Sequence, residues 1–136
     1  PCAFSATGQR KGRGPSRRRR KMRSEFQRTV HQMAERLLTR KGYEVIDPSP
    51  KGRSVDLVAR ADDGSIVFVA LKAKDAGDGD PAMPEEDLDR RALEQAAAEW
   101  LAAHDFGNVA VRFDSIALVV MGGSRAFARH HIDALR

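Results

Sequence analysis

The chain has 136 residues, of which 41% are hydrophobic and 32% are charged, and this suits one domain with its own core. It contains no run of about eighteen apolar residues, so we expect no membrane span. The only cysteine is Cys2, which excludes an internal disulfide, and no apolar stretch follows the basic N-terminus as a signal peptide would require. We therefore expect a cytoplasmic protein.

The net charge of +5 is concentrated at the N-terminus. Residues 1–23 hold nine lysines and arginines and no acids, whereas residues 24–136 hold the other fifteen basic residues and all nineteen acids, a formal charge of −4. Because residues 1–23 have little to bury, we expect a disordered basic arm before a domain at 24–136. The arm is predicted to bind nucleic-acid phosphates, with a solvated tail as the alternative. Its candidate contacts are Arg17, Arg18, Arg19, Arg20 and Lys21.

The first predicted helix spans residues 24–41. Ser24 and Gln27 fit a capping box at its start, and Gly42 can take the left-handed conformation that ends it. Between them, apolar residues recur at helical spacing and predict one buried face. These residues are Phe26, Val30, Met33, Leu37 and Leu38.

Three short strands are predicted next, at residues 43–46, 54–60 and 65–72. Two prolines and a glycine interrupt the chain between the first and second strands. Asp62-Asp63-Gly64 is typical of the turn in a hairpin and joins the second strand to the third.

This hairpin brings candidate site residues together. Side chains alternate along a strand, so Asp56 shares a face with Ser54, and Lys72 shares a face with Ala70. In the expected register, Asp56 and Lys72 lie at the same open end of the hairpin.

The second half of the chain is predicted to add a helix and one or two strands. Residues 75–89 are acidic and rich in glycine and proline, which indicates a solvated loop; a metal cage would need tighter spacing. A helix at 85–104 has an apolar face that includes Trp100, interpreted as core and not as a base-stacking platform. A strand follows at 109–120, and residues 126–135 form a final strand or a short helix. The order predicts a mixed α/β sandwich around one sheet.

Asp56 and Lys72 are candidate catalytic residues, because phosphodiester hydrolysis uses a carboxylate-bound metal ion and a nearby cation. Mg²⁺ is held by one or two carboxylates with water and phosphate oxygens, and a lysine stabilises the charge that develops. Such a site takes a carboxylate two residues before the lysine, where this chain has Ala70. Alone, Asp56 and Lys72 are better explained as a surface ion pair, worth roughly 0–1 kcal/mol.

Further segments with matching spacing accompany this pair. They are Val30-His31, Ala34 and Leu38 on the first helix, Gly42-Tyr43, Arg53-Ser54-Val55-Asp56-Leu57, Phe68-Val69-Ala70-Leu71-Lys72, Lys74, Arg112-Phe113-Asp114 and the stretch from His130 to Leu135. With them the chain resembles the YraN-type family of endonuclease-like proteins, which is similar to archaeal Holliday-junction resolvases in the PD-(D/E)xK nuclease superfamily. The resemblance implies a restriction-endonuclease-like core, a mixed central sheet flanked by helices in the order αβββαβ.

The chain departs from that family at its acids. His31, Ser54 and Ala70 stand where the family has glutamates, so only Asp56 and Lys72 carry over as site residues. This pattern favours a site that has lost its tightly held metal.

The resemblance also names ligands for the case that activity remains. Mg²⁺ or Mn²⁺ would then be the cofactor, with Asp56 as a ligand. A further donor would come from His31 or Glu35 on the first helix, or from Glu94 on the second.

Three functions remain open from the sequence. The favoured one is a nuclease-fold domain that binds nucleic acid, DNA more than RNA, with lost or weak phosphodiesterase activity. The second is an active Mg²⁺- or Mn²⁺-dependent endonuclease with a relocated carboxylate. The third is a protein-interaction or structural domain, for which the apolar residues 115–121 would supply an interface. A homo-oligomer is left open.

Overall fold

The computed structural model describes residues 17–51, 54–77, 79–85, 87–122 and 125–135, with side chains from residue 24 onward. These ranges contain α1 (Arg17–Arg40), β1 (Glu44–Asp47), β2 (Leu57–Arg60), β3 (Ile66–Gly77), α2 (Arg90–Ala103), β4 (Val111–Met121) and β5 (Ala126–His131). One sheet has the order β1-β2-β3-β4-β5, and in it only β3 and β4 run parallel. The predicted mixed α/β class is confirmed. No helix in these ranges combines the length and the apolar composition needed to cross a membrane.

Strand β3 is the centre of the core, because helices cover both of its faces. On one face, Val67, Val69 and Leu71 belong to an apolar cluster that α1 completes. On the other face, Ile66 and Phe68 belong to a cluster that α2 completes. Continuous apolar runs of this kind are typical of strands buried on both sides. The helical members of the two clusters are Val30, Ala34 and Leu38 from α1, and Leu93, Ala97 and Trp100 from α2.

The predicted end of the third strand at Lys72 is wrong, because β3 continues to Gly77 and pairs there with Met121 of β4. Its last residues include an aspartate and a glycine, which have low β propensity. Pairing with the long apolar strand β4 overrides that local preference. Residues 75–77, predicted as loop, therefore belong to the sheet.

The predicted helix start at Ser24 is also wrong, since α1 begins at Arg17 and Ser24 lies inside the helix. Arginine and lysine have high helix propensity, so the helix extends back through them. Residues 17–23 of the predicted disordered arm are therefore helical, while residues 1–16 lie outside the described residues. The division into an arm and a domain stays a prediction.

Two later boundaries differ as well. The second helix was predicted from residue 85, but α2 begins at Arg90 because Asp89 is its N-cap and accepts the Ala92 N–H at 3.2 Å. The C-terminal segment, left open between strand and helix, forms β5 and pairs antiparallel with β4. The order is therefore αβββαββ, which adds this last strand to the αβββαβ order that the resemblance implies.

Trp100 lies in the core, as predicted. It is 7% exposed and packs in the cluster between α2 and the sheet. Its indole N–H donates to Asp47 Oδ2 at 2.9 Å, which satisfies the polar end of the ring and ties α2 to β1.

A buried carboxylate, Asp114, joins β4 to β5 and to the end of α1. It accepts hydrogen bonds from Arg112 at 2.9 and 2.8 Å and from the Asp133 backbone N–H at 2.9 Å. His130 Nε2 lies 2.8 Å from Asp114 Oδ2, and Lys41 Nζ lies 2.9 Å from His130 Nδ1. Because an ammonium group only donates, Nδ1 accepts and the ring proton on Nε2 is directed at the carboxylate.

We call Asp114, Arg112 and His130 the Asp114 clasp. Burial raises the pKa of Asp114, but hydrogen bonds from His130, Arg112 and the Asp133 backbone outweigh it and lower the pKa from 3.8 to about 2. The same bonds to Asp114 raise the pKa of Arg112. Arg112 also donates to the Tyr43 hydroxyl. The Arg-Phe-Asp segment that contributes to the family resemblance thus has a structural role.

The Asp114 clasp predicts a specific acid sensitivity. The native carboxyl has a pKa of about 2 against 3.8 when unperturbed, so the unfolded chain binds more protons between these values. Stability from Asp114 is therefore complete above about pH 4 and is lost as the pH falls toward 2, a change on the order of 2 kcal/mol. Urea unfolding at several pH values should show this slope in the wild type and a flatter one in Asp114→Asn. Equal slopes would contradict the assignment.

A second prediction concerns Phe68, which is fully buried and contacts the rings of Trp100 and Phe113. Phe68→Ala should lower the free energy of unfolding by about 3–5 kcal/mol, because a cavity replaces the ring. Phe127→Ala is the matched control: this ring is 48% exposed, so we expect a loss below about 1 kcal/mol. Similar urea midpoints for the two variants would show that Phe68 is not central to the core.

Candidate functional site

A pocket of about 150 Å³ lies at the end of the β2–β3 hairpin. The hairpin contributes Ser54, Ala70, Leu71 and Lys72, and the start of α2 with the residues before it contributes Asp87, Leu88, Asp89 and Leu93. Three of the positions singled out in the sequence, Ser54, Ala70 and Lys72, therefore meet in one depression.

Asp56 lies beside this pocket but does not line it. The residue is 4% exposed, and its backbone N–H donates to the Val69 carbonyl at 2.8 Å. Its carboxylate Oδ2 accepts the Leu71 N–H at 2.7 Å. Residues 69 and 71 direct their backbone groups to the same side of β3. The Asp56 carboxylate therefore accepts the Leu71 N–H in place of the backbone carbonyl that a paired β2 residue would offer there. Asp56 thus has a structural task that the sequence did not reveal.

Lys72 is half-buried and lines the pocket. Among the described residues it makes no ion pair, and Asp56 is buried. The alternative of a surface ion pair between Asp56 and Lys72 is therefore wrong. The ammonium group remains available to an anion that enters the depression.

The other proposed metal ligands lie elsewhere. His31 and Glu35 are on α1, which packs on the face of the sheet opposite α2, and His31 Nδ1 is 3.1 Å from the Gln27 carbonyl oxygen. Glu94 is on α2, and its carboxylate lies 3.9 Å from Arg90 at the surface. None of these three acids or imidazoles lines the pocket.

The described residues around this pocket do not fit a tightly held divalent ion. Ala70 has no donor atom, and the Asp56 carboxylate is committed to a backbone N–H. Among the described residues, no group of three or more histidine, cysteine, aspartate or glutamate side chains is placed to hold a metal.

Two pocket residues, Asp87 and Asp89, were not predicted from the sequence. The Asp89 carboxylate caps α2, and Asp87 precedes it in the same segment. Their sequence signal was an acid immediately before an apolar helical pattern, which predicts a cap but does not show which strand the cap approaches. They place negative charge on the α2 side of Lys72.

The basic residues predicted to bind nucleic acid occupy the start of α1. Arg17 to Lys21 follow one another in the helix, so their backbone is regular and not extended. The C-terminal end of α1 lies near the Asp114 clasp, where Lys41 contacts His130, so these residues lie at the opposite end of the helix.

A mixed five-stranded sheet with a helix on each face, and with a lysine-bearing pocket beside its central strand, is an α/β fold consistent with a nuclease-like core. The chain belongs to the Uncharacterised protein family UPF0102, whose family model matches residues 30–118. This confirms the YraN-type family resemblance identified from the sequence.

Several members of this family are similar over most of their length. A UPF0102 protein of Pelobacter propionicus is 31% identical over 107 residues, which cover 76% of each chain. One from Rhodococcus opacus is 34% identical over 75% of this chain and 88% of its own. One from Roseiflexus castenholzii is 37% identical over 74% of this chain and 83% of its own. The range that the family model matches contains the second half of α1, strands β1 to β3, α2 and most of β4.

The hydrogen bond from the Leu71 N–H to Asp56 predicts that two substitutions of Asp56 lower stability by different amounts. Asp56→Ala leaves the buried Leu71 N–H without this acceptor and should lower stability by about 1–3 kcal/mol. Asp56→Asn keeps a carbonyl oxygen in the same place, so its loss should be clearly smaller. Urea unfolding gives the two values, and hydrogen exchange of the Leu71 amide should accelerate only in the alanine variant. Equal losses would show that the hydrogen bond is not the reason for the aspartate.

Proposed function

We propose that this protein is a nuclease-fold domain that binds nucleic acid, DNA in preference to RNA, with lost or weak phosphodiesterase activity. The observation that carries the proposal is the pocket at the β2–β3 hairpin. It is lined by Lys72, Ser54 and Ala70, and the family resemblance implies a catalytic cation at the first position and acids at the other two. Lys72 gives this pocket a cation for a phosphate, next to Asp87 and Asp89, while Ala70 leaves the position two residues before the lysine without a metal ligand.

The N-terminal half of α1 supports the same proposal. Five consecutive cations from Arg17 to Lys21 form part of one helix, and each one that neutralises a phosphate releases a counterion. Such contacts position a nucleic acid without reading its sequence. The interface alternative at residues 115–121 is less favoured, because Ser115 to Val119 are buried within the chain itself.

The binding experiment neutralises the cations without removing the helix. Replacing Arg17 to Lys21 by glutamine keeps high helix propensity, and fluorescence anisotropy with labelled DNA then gives affinity and salt dependence. We expect weaker binding and a slope of log K against log[salt] that is shallower by up to about 4. The control replaces five exposed cations elsewhere, namely Arg28, Arg36, Arg40, Lys51 and Arg91.

A control that weakens binding as much as the test variant would show that only net charge matters. Binding of wild type that is undetectable at low salt would overturn the proposed function.

Loss of catalysis is tested separately with Mn²⁺ and branched DNA. We expect no metal-stimulated nicking by the wild type. The double variant Ser54→Glu plus Ala70→Glu should gain Mn²⁺ affinity by calorimetry, because two carboxylates then flank Lys72 in the pocket. Nicking by the wild type that disappears in Asp56→Asn would instead establish the second function, an active endonuclease.

A further inference from the structure

Strand β5 forms one edge of the described sheet. It pairs with β4 on one side, and no described strand pairs with its other side. Its register with β4 runs without a shift over all six residues, from Ala126 to His131. An edge strand of this kind presents a row of backbone N–H and C=O groups with which another chain can pair.

The opposite edge of the sheet is less suited to such pairing. β1 has only four residues, its register with β2 shifts between Val45 and Asp47, and Pro48 follows it. Short length, a bulge and a proline are features that keep an edge strand from pairing with another chain. β5, which is described in full, has neither a register shift nor a proline. Of the two edges, β5 is therefore the one open to a partner strand.

Alternate residues of β5 direct their backbone groups to the open side. The Met121 N–H donates to the Arg125 carbonyl at 2.8 Å, so the backbone groups of Arg125 are directed to β4. In an antiparallel strand this direction alternates from one residue to the next. The residues whose N–H and C=O groups face the open side are therefore Ala126, Ala128 and His130.

The side chains of β5 select the register in which it can pair with a second copy of itself. Two antiparallel copies related by a two-fold axis bring one central residue opposite itself. A centre at Arg129 would oppose two arginines, and a centre at Phe127 would oppose Arg125 to Arg129, which destabilises a sheet because the charges are alike. A centre near either end of β5 would leave most of the strand unpaired. A centre at Ala128 avoids all of these.

The register centred on Ala128 also covers the ring of Phe127, which is 48% exposed in the single chain. Phe127 then lies opposite Arg129 of the partner subunit. The aliphatic part of that arginine packs on the ring whether or not its guanidinium group is engaged within its own chain. The two Phe127 residues are diagonal neighbours about 7–8 Å apart, within reach of each other. Each copy thus removes apolar surface of the other from water.

We propose that two copies of this chain join through β5 in an antiparallel ladder centred on Ala128, which makes one continuous sheet from the two five-stranded sheets. The backbone groups on the two open sides then bond to each other. The occupant of the edge is a second copy and not a strand of another protein, because the residues of β5 complement one another in this register. The inference does not depend on nucleic-acid binding.

The first test measures the mass of the full chain by sedimentation over a range of concentrations. The wild type should dimerise as the concentration rises. Ala128→Glu and Ala128→Lys should each weaken dimerisation about tenfold or more, because like charges then meet at the centre of the ladder. An equimolar mixture of the two variants should dimerise again, since an acid then lies opposite a base. A misfolded variant would not be rescued in this way.

The matched control for added charge is Ala98→Glu, at an exposed position of α2. It should change dimerisation less than threefold, because α2 covers a face of the sheet and not its edge. Thermal melting checks that each variant is folded.

The second test determines the register by cross-linking in a Cys2→Ser background. With Ala128→Cys, two thiols lie opposite each other with Cα atoms about 5.5 Å apart, a spacing that a disulfide accepts. Ala126→Cys is the matched control, because residue 126 lies opposite His130 of the partner subunit and more than about 13 Å from its own copy. Oxidation with glutathione disulfide should cross-link the first variant and leave the second uncross-linked.

The possible results decide the inference without touching the proposed function. A wild type that stays monomeric at every concentration overturns it. A dimer that Ala128→Glu weakens no more than Ala98→Glu does is built on another surface, which also overturns it. Cross-linking of Ala126→Cys as readily as of Ala128→Cys would refute the register. Rescue by the mixture together with selective cross-linking at residue 128 would establish the ladder.

Discussion

The hydrogen-bonded pairing of β3 with β4 is the constraint on which the rest of the structure depends. The two strands pair in parallel from Ile66↔Val111 to Gly77↔Met121, and helices cover the two faces of β3 at its start. Farther along, the same strand carries Lys72 and Lys74, which are only half-buried. Burial therefore ends partway along one continuous strand, and this places the cations on a rigid element at the rim of the core.

Asp56 shows why a retained motif residue is weak evidence for retained chemistry. Its carboxylate accepts a buried backbone N–H at 2.7 Å. This hydrogen bond stabilises the fold whether or not a metal is bound, because removing the carboxylate leaves a buried donor without its acceptor. Ala70, directly on β3 and 6% exposed, has no such task and fits the apolar cluster beneath α2. Similarly, Arg112 and Asp114 make the hydrogen bonds of the Asp114 clasp, which joins β4 to β5. The family pattern in this chain is thus largely a pattern of folding contacts.

The sequence correctly predicted features whose conformation depends on residues close together in the chain. Asp62-Asp63-Gly64 was predicted as the hairpin turn, and Gly64 has a φ of +90° there, a conformation that glycine adopts without strain. Trp100 was predicted as core from helical spacing alone. The start of α1 was predicted wrongly because the helix propensity of the preceding basic residues outweighs a cap at Ser24. The extension of β3, and the choice between strand and helix for β5, depend on pairing with β4, which the local sequence does not show.

For the site, strand alternation and the hairpin turn placed Asp56 and Lys72 at one open end, with Ser54 on the face of Asp56 and Ala70 on the face of Lys72. In the structure Ser54, Ala70 and Lys72 line one pocket, whereas Asp56 is buried beside it. It could not show that Asp87 and Asp89 reach the same pocket, since that depends on where α2 packs. Nor could it show which strand forms the open edge of the sheet, because that requires the pairing of β4 with β5.

Binding and hydrolysis make different demands on this scaffold, and the missing acids affect them in opposite directions. Hydrolysis needs carboxylate oxygens that converge on one ion at distances near 2.1 Å, so a single alanine at position 70 is enough to weaken it. Binding needs only cations near a phosphate, and each carboxylate absent from the surroundings of Lys72 removes a repulsive charge. Serine and alanine at positions 54 and 70 therefore weaken a metal site at this hairpin and leave Asp87 and Asp89 as the carboxylates that line the pocket with Lys72.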